Sequence, residues 1–84
     1  MEKNLIGKIS DYLSKIGVAI VELSDTLSVG DSISIEGTAT NVQQTVNSIQ
    51  IEHESVGSAK KGSSVGLKVD NVVKRGDNVY KISE

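Results

Sequence analysis

Valine and isoleucine dominate the apolar residues of this chain, 11 and 9 of them against 5 leucines, and there is no proline anywhere. Two substituents on Cβ stiffen χ1 and pack well on a pleated surface, so this bias favours strands over helices. The expectation is an all-β fold. At 84 residues the chain is one domain's worth, residues 1–84 with a core over about 5–82, and a two-domain enzyme is excluded. With no cysteine and a single histidine, His53, disulfide frameworks, thiolate metal sites and cysteine nucleophiles are excluded as well. The expectation is therefore no cofactor and no metal. No run approaches the roughly 18 apolar residues of a membrane span, and Met1-Glu2-Lys3-Asn4 leads into no signal-peptide core. A cytoplasmic protein without membrane contact is expected.

Turn chemistry divides the sequence into strand-sized pieces. Val29-Gly30-Asp31-Ser32-Ile33, Lys61-Gly62-Ser63-Ser64-Val65 and Arg75-Gly76-Asp77-Asn78-Val79 each place glycine, two small polar residues and a β-branched residue in a row. Glycine takes positive φ without a Cβ clash and short polar side chains bond the turning backbone, so each should open a strand. Ile33-Ser34-Ile35-Glu36 and Val65-Gly66-Leu67-Lys68-Val69 alternate at period two, and Val79-Tyr80-Lys81-Ile82 reads as the closing strand. Thr38 to Ser55 admits one long strand whose phase slips between Val46 and Ile49, a bulge signal. Ile16 to Leu23 is apolar at nearly every position, as in a central strand covered on both faces.

Periodicity conflicts with context at the start of the chain. Leu5, Ile9, Leu13 and Ile16 fall on one face of a helix. Against a helix stand Gly7 inside the segment, the lack of a capping box, and a hairpin signal at Ser14-Lys15-Ile16-Gly17 that would pair the segment with the apolar strand after it. A strand is expected, giving six in all. Closing six strands into a small barrel removes exposed edges that no helix is present to cover.

Motifs that carry chemistry elsewhere have simpler readings here. Gly62-Ser63-Ser64-Val65-Gly66 has the spacing of a nucleophile elbow, but a strand-like segment follows and His53 precedes it, so a strand-entry turn is expected. Gly57 to Ser63 has phosphate-loop glycine spacing without the lysine that a Walker motif needs. Glu52 and Glu54 flank His53 but alternate faces with it on a strand, and Asp25, Asp31 and Asp77 sit where aspartate bonds a turning backbone. No catalytic constellation emerges, and the chain is not expected to be an enzyme.

The formal charge of −2 is uneven. Residues 1–54 hold 3 basic and 8 acidic side chains, whereas residues 55–84 hold 6 basic and 3 acidic. Nucleic-acid coating would need a strongly positive domain, and base stacking would need more rings than Tyr12 and Tyr80. Both tyrosines are expected to serve the core with their hydroxyls at the rim. Lys60, Lys61, Lys74 and Arg75 are the candidate binding residues, on the inference that two loops at one barrel end bring them together.

The stretches Ile6-Gly7-Lys8-Ile9, Gly17 to Leu23, Leu27-Ser28-Val29-Gly30-Asp31-Ser32-Ile33-Ser34-Ile35-Glu36-Gly37, Val46 to Ile51, Ala59 to Leu67 and Lys74 to Val79 together resemble domain 2 of the translational GTPases. The chain is similar in particular to the small translation elongation factor-like proteins. That resemblance implies a closed six-stranded antiparallel Greek-key barrel, the reductase/isomerase/elongation factor common barrel. It also implies a non-catalytic module contacting transfer or ribosomal RNA, or a ribonucleoprotein, through the four basic residues. No phosphate-loop domain is present, so GTP binding is not implied. Related barrels are attached to collagenase-like peptidases, and the alternative reading is an interaction subunit serving a peptidase or modifying enzyme in trans.

Overall fold

The structure is a computed structural model and describes residues 2–52 and 54–83. Ten strands and no helix lie among them: β1 (Glu2–Leu13), β2 (Val18–Leu23), β3 (Leu27–Ser28), β4 (Ser32–Glu36), β5 (Asn41–Thr45), β6 (Ile49–Ile51), β7 (Glu54–Val56), β8 (Ser58–Ala59), β9 (Ser64–Lys68) and β10 (Asn78–Ser83). The all-β expectation is met. Eight strands form one antiparallel sheet in the order β5-β4-β10-β1-β2-β9-β6-β7, and β3 pairs with β8 separately.

The closed six-stranded barrel is corrected in both number and closure. The sheet has two ends, β5 and β7, and no ladder joins them. The reason lies in the segment read as one long strand. Val46 leaves β5 to exchange backbone bonds with the turn at Gly30 and Asp31, its N–H donating to Asp31 O at 2.8 Å and its carbonyl accepting from Gly30 N at 2.9 Å. Farther on, β6 folds straight back into β7 through Glu52, a non-glycine residue at φ 50°. Three short strands replace the one that could have reached from one neighbour to the next. Gln44 ties β5 instead to the end of β9: its Nε2 donates to Lys68 O at 2.9 Å and its Oε1 accepts from Asp70 N at 3.0 Å.

β1 resolves the conflict at the N-terminus. Its register slips between Leu5 and Gly7 against β10 and between Ile9 and Asp11 against β2. Each slip flips the phase of a period-two strand, so Ile6 and Ile9 both point inward and Tyr12 packs partly against the core. A spacing of three, the mark of a helix, thus comes from a doubly bulged strand. Of the four residues in the helical stripe only Ile9 is buried.

The three glycine turns are built alike. Asp31 N donates to Ser28 O at 3.1 Å, Ser63 N to Lys60 O at 3.1 Å and Asp77 N to Lys74 O at 3.1 Å, with Gly30, Gly62 and Gly76 at φ 97°, 89° and 93°. This is the type II pattern, which reserves its third position for glycine. The aspartates do the turn work expected of them: Oδ2 of Asp31 accepts from Ser28 N at 2.9 Å, Oδ2 of Asp77 from Lys74 N at 2.8 Å, and Oδ1 of Asp25 from Thr26 N at 2.7 Å. After each glycine turn a strand begins, at Ser32, Ser64 and Asn78.

Inward residues from across the sheet meet in one core, in which Ile33, Ile35, Val79, Val21, Leu67 and Ile49 are at most 1% exposed. On the outer face of β4, Glu36 Oε2 accepts from Lys3 Nζ at 2.6 Å and from Ser34 Oγ at 2.8 Å, and the Lys3 ammonium lies 5.6 Å from the centre of the half-buried Tyr80 ring. The lysine bond and then the serine bond hold the Glu36 carboxyl below the ordinary glutamate range. A carboxyl depressed on folding adds stability that is present above the unfolded value and lost as pH falls through the folded one. Replacing Lys3 by Met should move the Glu36 titration, followed by NMR at its side-chain carbonyl, up toward the ordinary value. An unmoved titration would remove Lys3 as the cause.

Candidate interaction surface

The apolar run of β2 alternates faces: Ala19, Val21 and Leu23 are buried, and Val18, Ile20 and Glu22 point outward. The outward row meets its neighbours in register. Val18 lies between Leu13 on β1 and Lys68 on β9; Ile20 lies between Asp11 and Gly66, with Gln50 of β6 beyond; Glu22 lies between Lys8 and Ser64. Gly66 has no side chain to fill the middle row, and a Cβ there would come within 3.2 Å of Val18 Cγ1. A hollow of about 200 Å³ results, lined by Leu13, Ile16, Val18, Ile20, Gln50 and Glu52 among others.

Leu13 is 40% exposed and Ile16 56% exposed at its rim. Clustered aliphatic side chains on an outer sheet face are candidates for contact with another surface, unlike apolar residues scattered singly. The hollow is smaller than the roughly 300–1,000 Å³ of pockets that enclose small ligands. It suits side chains of a facing surface. Glu52 stands at its lip in the left-handed conformation that the two-residue β6–β7 loop demands of its first position. His53, named above with its flanking glutamates, lies outside the described residues.

The basic residues singled out in the sequence sit elsewhere. Lys60 and Lys61 lie on the turn between β8 and β9, whose Gly62 N donates to Leu23 O at 2.9 Å. Lys74 and Arg75 lie on the turn before β10, whose Gly76 N donates to Ile9 O at 2.8 Å. The first turn thus continues the β2 flank of β1 and the second the β10 flank, so β1 stands between the two pairs. All four side chains are exposed, and the Arg75 guanidinium lies 3.9 Å from Asp11 Oδ1. An exposed pair at that distance contributes little. Ser64 of the elbow-like motif is an exposed residue within β9, and among the described residues no three His, Cys, Asp or Glu side chains gather as metal ligands.

The hollow was missed in the sequence, although its signal was present. An all-apolar strand needs cover on both faces. The core covers one; among the described residues nothing covers the other.

No protein-family model matches the chain. It is 42% identical, over 94% of its length, to an uncharacterised protease of Methanocaldococcus jannaschii, and 35% identical, over 99%, to a collagenase of Porphyromonas gingivalis. The chain spans only 20% and 24% of those two relatives. Among solved structures, the C-terminal domain of a Geobacillus thermoleovorans protein named as a U32 peptidase superposes with a TM-score of 0.89, at 20% identity, over 95% of this chain and 93% of that domain. These likenesses overturn the elongation-factor resemblance and the RNA-binding reading built on it. The stretches that carried the resemblance hold the type II turns and the strands they open, which fix backbone geometry and leave the partner open.

Proposed function

We propose that this chain is a non-catalytic accessory domain of a peptidase, docking on the peptidase polypeptide through the outer hollow of β2, β9 and β6. The uncovered aliphatic face at Leu13, Ile16, Val18 and Ile20 carries the reading. Two relatives support it: the chain corresponds to a fifth or a quarter of polypeptides named protease or collagenase, which leaves the larger part of each for the chemistry. A protein partner replaces the RNA partner, and the docking is apolar at the centre with a polar rim at Gln50, Glu52 and Ser64.

The test uses the M. jannaschii relative without its own matching segment. This chain should bind that remainder in the presence of nuclease and high salt, and grafting it in place of the missing segment should give a stable, monodisperse polypeptide. Ile20→Asp places a charge at the centre of the contact and should weaken binding about tenfold or more, as truncation of a central anchor does. Ile20 is partly buried and lies across from Asp11, so the urea midpoint of the variant is measured alongside and binding is compared where both proteins are fully folded. Absence of binding together with aggregation of the graft, or binding indifferent to Ile20→Asp, would reject the reading.

A further inference from the structure

The turn that carries Ile16 is fixed from outside itself. Leu13 O closes it at the base, accepting from Ile16 N at 3.2 Å and from Gly17 N at 2.9 Å, with Gly17 at φ 66°. Two further bonds come from Lys68, the last residue of β9, and from Val69 after it: Val69 N donates to Gly17 O at 2.9 Å, and the Lys68 ammonium donates to Ile16 O at 2.8 Å. Gly17 leaves room for that reach, since a Cβ on it would lie 3.4 Å from Lys68 Nζ. The ion pairs among the described residues are Lys3–Glu36, Arg75–Asp11 and Lys81–Asp31, so Lys68 is committed to a backbone carbonyl and not to a carboxylate. Holding a long, exposed lysine in one rotamer costs side-chain entropy, which offsets most of what an exposed hydrogen bond adds to stability. The effect of the bond falls on Ile16 instead: the backbone beneath this exposed isoleucine is held where its side chain stands out at the rim of the hollow.

We infer that Ile16 is a preformed knob that enters an apolar socket on the peptidase polypeptide, and that Lys68 is its positioning residue. The inference rests on the docking reading and adds the shape of the partner: a side chain that fills the hollow over Gly66, next to a recess lined by apolar groups that takes Ile16. Two consequences of the Lys68 bond favour it. A turn that is already ordered loses little conformational freedom on binding, so more of the apolar contact appears as affinity. The Ile16 carbonyl also loses its access to water once a partner covers the turn, and a buried acceptor without a donor is costly. The ammonium satisfies that carbonyl before docking begins. Without Lys68 the turn would have to be ordered, and its carbonyl stripped of water, at the moment of contact.

Binding of the intact chain to the M. jannaschii relative without its own matching segment tests this. Ile16→Ala should weaken binding about tenfold or more, as loss of an anchor does. Lys68→Met keeps the aliphatic stem and removes only the ammonium; it should weaken binding about tenfold while the urea midpoint stays close to that of the parent. NMR relaxation of the unbound Lys68→Met chain should show greater mobility at the amides of Ile16 and Gly17 than in the parent. Lys68→Arg retains a cationic donor and should recover most of the affinity and of the order in the turn. If the parent binds and Ile20→Asp does not, yet Ile16→Ala and Lys68→Met bind as the parent does, the knob is overturned and the docking function stands. Weaker binding in Lys68→Met with an equally rigid turn, or without recovery in Lys68→Arg, overturns the positioning role. A parent that does not bind removes the docking reading and this inference with it.

Discussion

Leu67→Ala lowers the stability of this fold by about 2–5 kcal/mol, the range for truncating a fully buried leucine. Leu67 is 1% exposed and sits in the middle of β9, facing Ala19 of β2 on one side and Ile49 of β6 on the other. Its neighbours cannot collapse into the space, because they are held in register by two ladders. A domain of this size has roughly 4–12 kcal/mol in hand at 0.05–0.15 kcal/mol per residue, so the variant stands near the edge of folding. Urea denaturation should show a lower midpoint at unchanged slope. Ile16→Ala is the matched comparison: it removes the same three carbons from a residue 56% exposed and should shift the midpoint very little. If the two variants lost similar stability, the division between core and outer face drawn at β2 and β9 would be wrong, and the hollow with it.

Whether an apolar residue faces the core or the hollow was legible from sequence only where alternation was clean. Val65-Gly66-Leu67-Lys68-Val69 alternates, and the structure buries its three odd positions as read. The glycine turns at Gly30, Gly62 and Gly76 were legible because positive φ has a chemical signature, and the hairpin after Leu13 likewise. Strand number was less so. A bulge signal and a strand end look alike in a sequence, and the choice at Val46 is made by two backbone bonds to a turn fifteen residues upstream, which no local pattern encodes. The pairs β3–β8 are two residues long and exist because Leu27 and Ala59 complete the core from opposite strands. Val73 is buried at 2% without belonging to any strand.

The candidate site was harder to read because the strongest chemical signals in the chain were local charges. Lys60-Lys61 and Lys74-Arg75 are conspicuous as dipeptides, yet each is the tip or approach of a type II turn, and β1 runs between them. The hollow is assembled from the β1–β2 hairpin and from β6 and β9, which lie far from it in sequence, with a missing side chain at Gly66 as its central feature. An absence of that kind is visible only once the register is known.

Gly7→Ala should cost about 1–3 kcal/mol, the usual penalty for overpacking, and more if the strands separate. Gly7 lies where β1 changes company: it pairs with Val79 of β10 and with Leu23 of β2. A Cβ built on it would come within 2.8 Å of the Glu22 carbonyl oxygen and 2.8 Å of Val21 Cγ1. The first is backbone and the second belongs to a fully buried residue, so neither can swing aside as a surface side chain would. The added methyl must therefore push β2 away from β1 at the start of their ladder. Hydrogen exchange should accelerate first at the amide of Ser24, bonded to Ile6 O at 2.7 Å, and not at that of Leu23, which donates to Ser63 O on the far side of β2. Gly57→Ala isolates the steric part of the effect. Its Cβ would meet nothing within 4 Å, and its φ lies outside the positive region, so the restricted unfolded chain should leave that variant neutral or slightly more stable. Equal losses for the two glycines would mean that backbone freedom, and not the close approach of β1 to β2, is what position 7 requires.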